Sequence, residues 1–130
     1  MIIDCHTHAW EQWPYEPQVP NPDSHGRVEK LLWEMDHNGV DKAVLVCANI
    51  ERNPDNNAYG AESARRYPER IVAFADVDCS WSPAYHTPGA ADRLAGAAEK
   101  YSLKGFTHYF KDDYDWLESD EGLAFFGTAA

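Results

Sequence analysis

The sequence predicts an α/β protein of four successive βα units, the content of one half of an eight-stranded (β/α)8 TIM barrel. Three observations carry this. Short, β-prone apolar runs recur at a spacing of roughly 30 residues, the period of a βαβ unit. Each run is followed by a stretch with helical character, and Pro, Gly and Asn clusters punctuate the joins. Parallel neighbours joined by right-handed crossovers place the helices on a face of the sheet. A closed barrel takes about 250 residues, whereas this chain has 130 and stops in what should be a helix. The reading is a single partial domain over residues 1–130, with further units expected beyond Ala130. A complete small doubly wound domain is the competing reading.

Met1-Ile-Ile-Asp-Cys5 opens as a β-prone run that leads directly into His-Thr-His, and it is expected to be a buried first strand. Between Glu11 and Asp23, Pro14, Pro17, Pro20 and Pro22 rule out helix and central strand, leaving an extended loop long enough to bind a ligand. Asp23 or Ser24 can cap a helix in which Val28, Leu31, Leu32 and Met35 follow the i, i+3, i+4, i+7 rule. Asn38-Gly39 ends it, and Lys42-Ala-Val-Leu-Val-Cys47 suits a strand buried on both faces. The unit repeats with a polar loop at 53–57, a helix over about 58–67, a break at Pro68 and the strand Ile71–Val77. A third round places a loop at 83–89, a helix at 90–100 and a fourth strand over Leu103–Phe110, after which Glu118–Ala130 begins another helix.

A net charge of −11 repels a phosphate backbone, so nucleic acid is not an expected partner. The longest apolar stretch, Ala43 to Ala48, is far short of the roughly 20 residues that cross a bilayer, and a cytoplasmic location is the default expectation. Three widely spaced cysteines, Cys5, Cys47 and Cys79, fit neither a disulfide framework nor a zinc ribbon and read as buried thiols.

The chemistry centres on Asp4-Cys5-His6-Thr7-His8. Strand side chains alternate faces, so His6 and His8 project from the same side and bring two nitrogen donors together. Imidazole suits zinc and other divalent transition ions, which lower the pKa of bound water or polarise a carbonyl. An isolated His-x-His triplet is weak, but this one ends the first apolar strand, and barrel strands present that end to the active site. The bland alternative is a pair of histidines that only hydrogen-bond near a strand end.

By the same rule Asn49 ends the second strand, and Asp76 and Asp78 end the third. Asn49 and Asp78 are candidates for substrate binding, although aspartates there also cap turns. Trp10 can form an aromatic wall in the loop beyond the pair, with Trp13 next to it, or both can simply pack that loop. His108 is a candidate acid or base on the fourth strand. Gly105, Thr107 and Tyr109 share one face there and Phe106, His108 and Phe110 the other, and alternation alone leaves open which points inward. His25, His37 and His86 have no partner at ligand spacing and read as solvated.

Ile2-Ile-Asp-Cys-His-Thr-His8 resembles the opening strand of the amidohydrolase superfamily. Val28-Glu-Lys-Leu-Leu-Trp-Glu-Met-Asp-His-Asn-Gly-Val-Asp-Lys-Ala-Val-Leu-Val46 looks like the next unit of its aminocarboxymuconate-semialdehyde-decarboxylase-like branch. Asn53-Pro-Asp-Asn-Asn57, Tyr67-Pro-Glu-Arg-Ile-Val72 and Leu103-Lys-Gly-Phe106 are similar to that branch in the same order. The resemblance implies a barrel enzyme, a hydrolase or non-oxidative decarboxylase of a small carboxylate, lactone or amide. It also implies one divalent metal, commonly zinc, held by the His-x-His pair, a later histidine and a terminal aspartate. Only His6 and His8 of that set fall within this chain.

The competing functions are a barrel-type metal-dependent phosphoesterase and a non-catalytic half-barrel module. A small-molecule substrate is the expected partner. The exposed sheet edges of half a barrel predict either a homo-oligomer or pairing with a C-terminal half.

Overall fold

The computed structural model describes residues 1–130. Its strands are β1 (Ile3–Thr7), β2 (Lys42–Val46), β3 (Ile71–Asp76) and β4 (Phe106–Thr107), in one sheet of order β1-β2-β3-β4. Every pairing is parallel. Between and after them come α1 (Pro22–His25), α2 (Val28–Asn38), α3 (Asn56–Arg66), α4 (Ala90–Tyr101), α5 (Tyr114–Leu117) and α6 (Asp120–Thr128). Consecutive parallel strands in sequential order make one half of a (β/α)8 barrel. No helix is long and apolar enough to cross a membrane.

The helices cover one face of the sheet. Ala43, Leu45 and Ile71 pack with Val28 and Met35 of α2, while Ala75 and Val77 pack with Ala90 and Leu94 of α4 and Phe125 of α6. Gly60 lets α3 lie against β2, since a Cβ there would collide with Cys47 Sγ. Gly39, at φ 68°, takes the left-handed conformation that closes α2. The other face holds Val44, Val72 and Phe74, alternating with the covered residues and only half-buried. The expectation that β2 is buried on both faces is therefore corrected: helices cover one side only.

Three further expectations change. β1 is an edge strand paired only with β2, so Ile3, Asp4, Cys5 and His6 are exposed rather than buried, and Cys5 is not a buried thiol. The helix at 28 begins after Arg27, with Asp23 and Ser24 inside the separate turn of α1. β4 has two residues instead of eight, because only Phe106 and Thr107 pair with β3.

Register fixes which side chains face inward, since directly paired residues in a parallel ladder share a face. Asp4 pairs with Ala43 but Thr7 pairs with Leu45, so β1 carries one extra residue between these points. Ala43 and Leu45 both face the helices. The irregularity thus turns Thr7 towards the helices and sets His6 and His8 on the open, inner face, as β-bulges do near functional sites. At the other edge Ala75 pairs with Phe106 and Asp76 with Thr107, which puts Phe106 on the helical side and Asp76 and Thr107 on the inner side.

Candidate metal centre at the strand ends

Buried asparagines lace the ends of the first three strands together. Asn56 Oδ1 accepts the Ala48 N–H at 2.9 Å and its Nδ2 donates to Ala9 O at 3.0 Å, joining the segments that follow β2 and β1. Asn57 Nδ2 donates to Asp76 O and its Oδ1 accepts the Asp76 N–H, both at 2.8 Å. Asn53 makes the corresponding pair with the backbone of Gln12. The loop at 53–57, polar in sequence, is polar because it supplies backbone-like hydrogen bonds where the ladders end.

On this frame His8 Nδ1 lies 2.7 Å from Val46 O. A carbonyl only accepts, so Nδ1 carries the proton and Nε2 keeps its lone pair, which is how metal-ligating histidines are commonly oriented. The His6 ring stands edge-on to His8 with centroids 5.2 Å apart, and the Tyr109 hydroxyl lies 3.5 Å from His6 Nε2. Two imidazoles supply half of a tetrahedral set of nitrogen donors, so this part of the chain fits a zinc-type ion. Trp10 is 2 % exposed and stacks on His8 at 5.5 Å. It thus backs the histidine, and only a small part of its surface lines the adjoining cleft. A cleft of about 330 Å³ beside His8 is lined by His8, Trp10, Trp13, Tyr15, His25 and Lys30.

Asp76 Oδ2 accepts the Asn49 N–H and the Trp81 Nε1–H, each at 2.7 Å. Trp81 in turn packs on Tyr109 with ring centroids 5.1 Å apart. Asn49, Asp76, Trp81, Tyr109 and His6 thereby form one connected rim. Asn49 Oδ1 accepts the Asn57 N–H at 3.2 Å, so it braces the rim as well as lining it. Trp81 carries no sequence signal, being a lone aromatic in an irregular segment, whereas Tyr109 shares with Gly105 and Thr107 one strand face that alternation alone does not assign to the inner side.

Asp78 and His108 lie elsewhere. Asp78 has φ 54°, which turns its fully buried carboxylate away from the rim into an ion pair with the partly exposed Arg93 of α4, 2.5 Å away. Its assignment to substrate is corrected on that ground. His108 follows Thr107 on the helical side, among Phe125 and Trp116 at 5.0 and 5.6 Å, so it does not join His6 and His8. Burial pushes its pKa down from the ordinary histidine value, offset in part by its contact with Val77 O. His86, expected to be solvated, is buried between Tyr85 and Trp116, with ring centroids 3.7 and 3.6 Å away. Its Nδ1 is paired with Asp113.

Cys47 offers no nucleophile: burial, with a further contribution from Asp76, pushes its thiol up to about 12. Cys79 is buried and likewise shifted upward, mainly by desolvation.

Residues 3–127 match the amidohydrolase family. No curated protein sequence matches the chain. Among solved structures it is similar to a probable 2-pyrone-4,6-dicarboxylic acid hydrolase from Acinetobacter baumannii with citric acid bound. The TM-score is 0.61 at 19% identity, covering 98% of this chain and 45% of that one. It is also similar to a 5-carboxyvanillate decarboxylase from Novosphingobium aromaticivorans with bound manganese and 3-methoxy-4-hydroxy-5-nitrobenzoic acid. There the TM-score is 0.62 at 15% identity, covering 98% of this chain and 47% of the other. The chain thus spans a little under half the length of these structures.

Proposed function

The chain belongs to the amidohydrolase family, and from that premise we propose that it forms the metal-binding N-terminal half of a hydrolase or non-oxidative decarboxylase. The proposed substrate is a small carboxylate, lactone or amide. One observation carries the reading: Val46 O fixes the proton of His8 on Nδ1, leaving Nε2 to ligate beside His6 at the inner end of β1. The chemistry named for the two structural neighbours, hydrolysis of a dicarboxylic acid and decarboxylation with manganese bound, supports the reaction range.

His6 and His8 would hold one divalent ion, for which zinc is our choice, and the resemblance assigns the other ligands to a later histidine and a terminal aspartate. When bound, such an ion lowers the pKa of water or polarises a carbonyl. The chain's own residues position and enclose. Trp10 backs His8, Asp76 fixes the Trp81 indole, and the half-exposed Trp81 and Tyr109 rings present an apolar wall with a phenol facing His6.

Metal content after equilibrium dialysis against Zn²⁺ tests the assignment. The His6→Ala/His8→Ala variant is expected to retain one equivalent fewer than the unmodified chain. Uptake by this pair should need high metal concentration, because two ligands leave the set half filled. Equal content in the two proteins removes His6 and His8 from the proposal.

A further inference from the structure

On the opposite side of the sheet a second set of histidines is arranged with unusual economy. His86 Nδ1 is engaged by the Asp113 carboxylate, and His108 Nδ1 lies 3.3 Å from Val77 O. Both partners accept hydrogen bonds, so each ring carries its proton on Nδ1 and turns the lone pair of Nε2 outward. Those two lone pairs face each other, with the Nε2 atoms 3.2 Å apart. Two acceptors at that separation repel unless a cation lies between them. Two metal–nitrogen bonds of about 2.05 Å at a tetrahedral angle put their nitrogens about 3.3 Å apart, close to what is found.

A third donor is at hand. Asp78, His86 and His108 each offer a ligand atom, and these atoms lie within 4.8 Å of one another. Asp78 is held by Arg93 and by the backbone N–H of His86 at 3.0 Å, as ligating carboxylates are themselves hydrogen-bonded. Tyr85 Oη donates to Asp113 at 2.7 Å, fixing the carboxylate that fixes His86. Asp78 and Asp113 against Arg93 leave one negative charge, which favours a cation. We propose that Asp78, His86 and His108 form a second site, for a zinc-type divalent ion, separate from the His6–His8 pair. The ion staples the loop between β3 and α4 to the segment after β4. Asp113 is a positioning residue, giving the carboxylate–histidine–metal arrangement its orientation. A shared proton would bridge the same two nitrogens but would leave Asp78 with no part in it.

The test uses the tag-free chain carrying His6→Ala and His8→Ala, so that its result is independent of the proposed function. Zn²⁺ titrated calorimetrically should bind at one equivalent. His86→Gln or His108→Gln should weaken this by at least 100-fold, and Asp113→Asn by roughly 10- to 100-fold. Zn²⁺ at about 100 times its Kd should raise Tm by on the order of 5–10 °C. No uptake, or uptake unchanged by the His86 and His108 substitutions, overturns the site. Should those variants unfold, ¹⁵N imidazole spectra of the parent decide. Nδ1–H tautomers whose Nε2 signals both move with Zn²⁺ sustain the proposal, whereas a proton on either Nε2 that Zn²⁺ does not displace refutes it.

Discussion

Replacing Asn57 by alanine strikes at the joint that holds the rim. Its side chain acts as a surrogate peptide for Asp76, accepting that residue's N–H and donating to its C=O, both at 2.8 Å. Asn57 and Asp76 are each 6 % exposed, so water does not readily replace the lost amide. Each buried backbone group left without a partner costs about 1–3 kcal/mol. Two such groups cost roughly 4 kcal/mol, offset by about 0.7 kcal/mol from the better helix propensity of alanine at the start of α3. The net loss is about 3 kcal/mol. An unfolding entropy of about 2.1 cal/mol/K per residue converts this to a fall in Tm of roughly 11 °C for a chain of this length. Urea unfolding followed by far-ultraviolet circular dichroism measures it, with Asn38→Ala as control. Asn38 also makes a side-chain hydrogen bond, 2.8 Å to Glu34 O, but at an exposed helix end, and should lose no more than about 0.5 kcal/mol. If Asn57→Ala costs no more than the control, the asparagine lacing is not what holds the strand ends together.

Thiol accessibility and stability should follow the burial of the cysteines. A disulfide reagent at pH 8 is expected to modify Cys5 in the native chain and all three cysteines in urea; rapid native labelling of Cys47 would refute its burial. Because the folded Cys47 is raised to about 12, its contribution is fully present below an ordinary thiol value near 9 and is lost as pH rises towards 12. A stability that increases over that window would contradict the sign. The open sheet should also drive association at micromolar concentration, since β1 presents an unpaired edge with Ile2 and Ile3 more than half exposed. Sedimentation should then show species above the monomer and Ile3→Lys should reduce them, whereas a folded monomer throughout would count against a half-barrel that needs its inner face covered.

The alternation of strand and helix was legible because each signal is local: Val28, Leu31, Leu32 and Met35 mark one helix face, and Gly39 ends it whatever packs around it. The exposure of β1 was not, since the same apolar residues are central or peripheral according to neighbours the local pattern does not mention. The histidine pair could be placed on one face by alternation, but the irregularity between Asp4 and Thr7 decides which face, and it leaves no mark in composition. Asp76 and Asp78 show the same limit. Two residues apart, they should share a face, yet the positive φ of Asp78 sends its carboxylate to Arg93 while Asp76 stays on the rim. His86 and His108 are separated by 22 residues, and only the return of β4 beside β3 brings their nitrogens together. The Asn53–Asn57 segment is legible from its composition as a polar loop, but that its asparagines serve buried hydrogen bonds is not, because this depends on strand ends distant in sequence.

The two faces of the sheet divide the work unequally. On the helical side every layer needed for a core is present: α2 and α3 close over Ala43, Leu45 and Ile71, and α4 and α6 close over Ala75 and Val77. On the inner side the rim is braced, with Asn49, Asp76 and Trp81 joined through one carboxylate oxygen, but Val44, Val72 and Phe74 beneath it are only half covered. Burial of that apolar face contributes roughly 25 cal/mol per Å², and it can come only from groups that approach the open side. If the proposed metal assignment holds, the same approach would bring further donors to His6 and His8, because barrel strands deliver their active-site residues to that end. On the proposed function, completing the core and completing the metal centre would therefore be one event on the inner side. The Asp78–His86–His108 cluster on the helical side needs no further element and should load its ion whether or not that event has occurred.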